Sequence, residues 1–149
     1  MEHINAMVNK AQKCIDTHSK QAIAVSFIPL VSLPIVFGVC AKMIVKLDKI
    51  FGIPTAKGWD SEILHDVLAG VIAAPVLAIP VLGAGMASVY IKSIGEIYAQ
   101  AVAEVVRTST PQELSNGVLV SQRVKAELQE IHAQQRAERS AARRNAPTS

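Results

Sequence analysis

The chain has 149 residues, a net charge of +3, 50% apolar residues, 18% charged residues and only 4% aromatic residues. That length holds one core. The charge content is below the usual quarter, and the sparse aromatics and undense basic runs exclude the stacking platforms and stripes of a nucleic-acid binder.

The first predicted helix covers about 3–28, with Ile4, Met7, Val8, Ala11, Ile15 and Ala22 at helical spacing. Its first twenty residues are polar and amphipathic and do not read as a cleavable signal, so the N-terminus is expected in the cytoplasm. Cys14 and Cys40 share no CxxC spacing and are expected to be free, buried thiols.

Two runs without a charged residue follow, 21 residues between Lys20 and Lys42 and 25 between Asp66 and Lys92. Each exceeds the roughly 18 residues at which an apolar run reads as a membrane span. Each also carries a P-x-x-x-x-P pair near its middle, Pro29 with Pro34 and Pro75 with Pro80. An interior proline costs a helix about 3 kcal/mol, so each pair marks the end of one helix and the start of the next, with Pro34 and Pro80 near the first helical position. Each run then becomes the apolar tip of a helical hairpin, about 15 Å deep for ten residues a side. The expected membrane-contacting residues are Phe27, Ile28, Pro29, Leu30, Val31, Leu33 and Pro34 in one tip and Pro75, Val76, Leu77, Ile79 and Pro80 in the other. Unpaired backbone at such tips needs a protein neighbour, which points to a homo-oligomer.

The runs resemble copies: at an offset of 46, Pro29 falls on Pro75, Pro34 on Pro80 and Lys46 on Lys92. The second predicted helix covers about 34–52, the third 61–75 and the fourth 81–107. Gly83, Gly85, Ala87 and Ser88, with Gly95 further on, form a small-residue face suited to close helix packing. Lys42, Lys46, Lys49, Trp59 and Lys92 are placed at the rim of the tips, where they would meet lipid headgroups. Thr110-Pro111-Gln112-Glu113 is a capping box with proline at the first helical position. It is expected to open a fifth helix with a stripe of Leu114, Val118, Val124, Leu128 and Ile131. That helix should fade near 138 into a disordered basic tail.

The segment 79–102 resembles the end of a helical domain found behind Era-like GTPases, domain-of-unknown-function family 697. Ile79-Pro80-Val81-Leu82-Gly83 matches its turn, and Gly95 with Tyr98 its ending. Residues 28–53 resemble the other half, through Met43-Ile44, Leu47 and Phe51-Gly52, although the acidic residue that often follows the first Ile-Pro is absent. The resemblance implies a membrane-associated helical module working beside a GTPase, bacterial and at the inner membrane with cytoplasmic termini. The GTPase would be a partner. No GxxxxGK[ST] loop occurs, and Val45-Lys46-Leu47-Asp48 lacks the asparagine of a base-reading NKxD motif.

No HExxH, GxSxG or metal-ligand spacing is present, and His65-Asp66 beside Glu62 is the one constellation worth noting, with carboxylates expected in a first helical turn in any case. The expectation is an all-α protein with no catalytic site, cofactor or metal. It comprises two consecutive hairpins over 1–107, an amphipathic helix over 108–138 and a tail over 139–149. Its function is expected to be that of a membrane-associated scaffold or adaptor that meets the bilayer, copies of itself and a partner protein through the fifth helix, with no nucleic acid. The alternatives are a small pore-forming or membrane-disrupting effector and a soluble helical homo-oligomer.

Overall fold

The computed structural model describes residues 2–25, 32–54 and 83–145. All secondary structure among them is helical: α1 (Glu2–Val25), α2 (Ser32–Phe51), α3 (Gly83–Thr108), the single turn α4 (Pro111–Leu114) and α5 (Gly117–Asn145). The predicted third helix, and with it the first half of the second hairpin, lies outside the described residues.

α1 and α2 form the first hairpin. α1 buries Ala11 and Ile15, and the same stripe continues through His18 and Ser19. Both polar side chains settle their hydrogen bonds on their own helix, His18 with the Cys14 carbonyl at 2.8 Å and Ser19 with the Asp16 carbonyl at 3.0 Å. This corrects the expected stripe, because Val8 is exposed and Ile4 only partly covered. α2 starts two residues before Pro34, so that proline sits in the first turn, where its missing N–H has no partner to lose. The helix buries Cys40, Met43, Ile44, Leu47 and Phe51. It ends in a Schellman motif: Gly52 takes φ +69°, its N–H bonds the Lys49 carbonyl, and the Ile53 N–H bonds the Asp48 carbonyl at 3.0 Å. Glycine is required there because an L side chain resists that backbone conformation.

α3 is the central helix. It packs against α1, α2 and α5, and is buried on several sides through Ile91, Ile94, Tyr98, Ala101, Val102 and Val105. Gly95 lies where α1, α2 and α3 converge, since a Cβ built there would meet Ile15 Cγ1 at 2.7 Å and Met43 Sδ at 3.0 Å. The small-residue packing expected of α3 is therefore documented at Gly95. Ser88 is only half-buried, and the side-chain surroundings of Gly83, Gly85 and Ala87 lie outside the described part.

The capping box forms as expected, with the Glu113 N–H donating to Thr110 Oγ1 at 3.3 Å and the Thr110 N–H donating to the Glu113 carboxylate at 2.7 Å. It opens only one turn, however. The chain breaks at Ser115, and Asn116 caps a new helix by accepting from the N–H groups of Val118 at 3.2 Å and Leu119 at 3.3 Å. The break resets the helical phase. Val118 is consequently 68% exposed, and the buried stripe of α5 is Val120, Val124, Leu128 and Ile131. Arg123 fixes α5 to the end of α3 by donating to Ser109 Oγ at 2.6 Å and Thr108 Oγ1 at 3.1 Å, with Glu113 3.7 Å away. α5 does not fade near 138 but runs helical to Asn145.

Candidate functional site

Two contacts set the relative direction of the helices. Gly95 of α3 faces Met43 of α2, and Tyr98 of α3 donates to the Asp48 carboxylate at 2.6 Å. Both pairs ascend together, so α3 runs parallel to α2 and antiparallel to α1. The end of α1 at Val25 and the starts of α2 at Ser32 and α3 at Gly83 are ten, eleven and twelve residues from the level of Ile15, Met43 and Gly95. At 1.5 Å per residue each helix reaches about 15–18 Å past that level, all toward the same end.

The last charged residues toward this end are Lys20, Lys42 and Lys92, one on each helix. Beyond them 21–25, 32–41 and 83–91 carry no charge. Among the described residues the bundle thus has one charge-free end, rimmed by lysines. Lys42, Lys46, Lys49 and Lys92 are exposed there or one to two turns further along. Among the tip residues, Leu33 and Pro34 fall in the first turn of α2, with side chains outside the described part. Phe27, Ile28, Pro29, Leu30 and Val31, the second tip with Pro75, Val76, Leu77, Ile79 and Pro80, and Trp59 lie outside the described residues altogether, as does the His65 grouping. No helix among the described residues is long and apolar enough to cross a membrane.

Around the Gly95 level and on its charged side, α1 and α2 enclose an open cleft of about 370 Å³ lined by Lys13, Cys14, Thr17, His18, Lys46, Lys49 and Ile50. No carboxylate lines it. The three lysines are exposed and, among the described residues, none is in an ion pair. Nothing in the sequence singled out this cleft. Lys13, Thr17 and His18 follow one another at helical spacing on α1, but only the hairpin register brings them to Lys46 and Lys49.

Cys14 Sγ lies 3.6 Å from His18 Nδ1, which resembles a nucleophile–base pair. The local bonding argues against that chemistry. The same Nδ1 is 2.8 Å from the Cys14 carbonyl, an acceptor only, so Nδ1 carries a proton and cannot take one from the thiol. Burial also pushes the Cys14 thiol up, against a smaller opposing pull from Lys46, whereas an activated cysteine requires the reverse. Cys40 is fully buried and pushed up to about 12. At pH 7–8 a small alkylating reagent should therefore modify one thiol per folded chain, Cys14, more slowly than a free cysteine. Its rate should rise with pH beyond 9 as thiolate forms. Mass spectrometry of the alkylated chain checks this, and early modification of Cys40 would contradict the packing around it. Among the described residues no three or more His, Cys, Asp or Glu side chains are grouped to hold a metal.

The residues that carry the resemblance to the GTPase-associated domain are core positions here: Met43, Ile44, Leu47 and Phe51 on α2 and Gly95 and Tyr98 on α3 are all buried. Comparison with known proteins gives no match among protein-family models, curated proteins or solved structures.

Proposed function

We infer that this chain is a non-enzymatic helical scaffold that seats the charge-free end of its bundle in the surface layer of a bilayer and offers α5 to a partner protein. The observation that carries this reading is the coincidence of three charge-free helix segments at one end, with a lysine on each helix at its rim. Beyond that rim α1 continues for five described residues, α2 for ten and α3 for nine, about 8–15 Å, up to half the hydrocarbon thickness of a bilayer. Lysine ammonium groups at that depth meet anionic headgroups, each worth about 1 kcal/mol near the surface. A re-entrant seat of this kind requires no helix long enough to span. A GTPase is the partner class that the resemblance implies, and α5 is the element with surface to spare, because its residues from 136 onward are all exposed.

The test is fractionation of the untagged protein from cells, with carbonate and then detergent washes of the membrane pellet. Retention through carbonate and release by detergent is the expected result. Recovery in the soluble fraction as a defined oligomer would mean that protein, not lipid, covers the charge-free end. Dye leakage from liposomes at low protein-to-lipid ratio would replace the scaffold with a membrane-disrupting effector.

A further inference from the structure

We propose that the cleft between α1 and α2 is a binding site for a phosphomonoester, held by Lys13, Lys46 and Lys49. Three exposed lysines from two helices line one concavity, with no carboxylate among its lining residues and no ion pair among the described residues to neutralise them. Like charges around one cleft repel one another, and an anion between them converts that repulsion into attraction. Lys46 lines the same cleft as Cys14, and its charge acts on the Cys14 thiol.

The Thr17 hydroxyl is committed to the Lys13 carbonyl at 2.8 Å, so the polar contacts to a phosphate fall to the lysines. His18 also lines the cleft, is 3% exposed and has committed Nδ1 to the Cys14 carbonyl. Ile50 and the lysine stems make the rest of the wall apolar. A volume of about 370 Å³ exceeds a bare phosphate and leaves room for the group that carries it. A cationic rim above an apolar wall suits a phosphate attached to a small carbon skeleton.

That chemistry has two sources, a free metabolite phosphate and a lipid headgroup. Along α1 the cleft residues lie seven to twelve positions before Val25, about 10–18 Å from the end of the helix, and along α2 Lys46 and Lys49 lie 14 and 17 positions after Ser32, about 21–26 Å. These distances bracket the depth of the phosphate layer when the charge-free end is seated in a bilayer, and the lipid source rests on that reading. The cleft as a phosphomonoester site does not.

The experiment uses the full chain and two variants, Lys13→Gln/Lys46→Gln/Lys49→Gln and Lys13→Arg/Lys46→Arg/Lys49→Arg, each checked for an unchanged melting temperature. One arm measures protection of Cys14 from alkylation by glycerol 3-phosphate. The other measures flotation with phosphatidylcholine vesicles containing either phosphatidic acid or phosphatidylserine at matched surface potential. Expected are protection of Cys14 and preference for phosphatidic acid, both weakened about a hundredfold in the glutamine variant and kept in the arginine variant. Protection without flotation on any vesicle upholds the cleft for a free phosphate and removes the membrane reading. Preference for phosphatidic acid without protection assigns the ligand to the lipid. Equal flotation on both anionic lipids with no protection of Cys14, whether or not the lysines matter, overturns the proposal.

Discussion

Replacing Gly95 by leucine should abolish the native bundle, and replacing it by alanine should lower stability by about 1–2 kcal/mol. A Cβ at this position would stand 2.7 Å from Ile15 Cγ1, 3.0 Å from Ile15 Cγ2 and 3.0 Å from Met43 Sδ. Met43 has a flexible thioether that can turn aside. Ile15 cannot, because both of the crowding atoms hang from its branched Cβ and its χ1 is nearly fixed in a helix. α1 must therefore move off α3. Overpacking of this kind costs about 1–3 kcal/mol, offset by up to about 1 kcal/mol from the better helix propensity of alanine. In a chain of this size the net loss lowers the melting temperature by about 3–8 °C, read by circular dichroism. Ile15→Ala combined with Gly95→Ala should show favourable coupling, since it removes the two crowding atoms together. A neutral or stabilising Gly95→Ala would mean that the helices do not approach as closely as this contact requires.

The second large effect belongs to the Asp48–Tyr98 pair. Both residues are 0% exposed, and the Tyr98 hydroxyl donates to the Asp48 carboxylate at 2.6 Å. A hydrogen bond to a carboxylate contributes about 1.5–3 kcal/mol, and its loss weakens the hydrogen bonding of a fully buried group. Tyr98→Phe keeps the ring and its packing and removes only this donor. It should cost about 1.5–3 kcal/mol in urea denaturation with an unchanged m-value. A loss below about 0.5 kcal/mol would show that the bond contributes little beyond the packing of the ring.

The contrast between these two positions explains what could be read from the residues. α1, α2 and α3 were legible within about three residues at each end, because apolar periodicity and proline position mark them directly. Asp48 was not. Between Lys46 and Lys49 it looks like one more solvated charge, yet it shares the apolar phase of Ile44, Leu47 and Phe51, the signal that could have found it. Its hydroxyl donor lies fifty residues away, and no local pattern announces that pairing.

The same limit applies to the candidate site. The charge-free runs were visible as such, and their convergence at one end required the parallel register of α2 and α3. The lysine cleft needed the antiparallel register of α1 and α2. The break at Ser115-Asn116-Gly117 is different, because its residues are a local turn signature. It was masked by a strong capping box one turn earlier, and the phase error that followed misplaced Val118 on the buried stripe.

The distal part of α5 changes how cooperative the molecule can be. After Ile131 no residue of this helix is buried, although it continues for fourteen more, about 21 Å. A helical stretch of that length is marginal in water when nothing packs on it. Its melting from residue 136 onward exposes little new apolar surface and so is decoupled from the all-or-none transition of the bundle. The molecule thus joins two thermodynamic regimes in one continuous helix. From Val120 to Ile131 the backbone opens only when the core does, and beyond it the backbone opens on its own, with a free energy close to zero. A partner that grips the distal segment would supply the stability it lacks, and would be paid in binding energy reduced by the cost of ordering it.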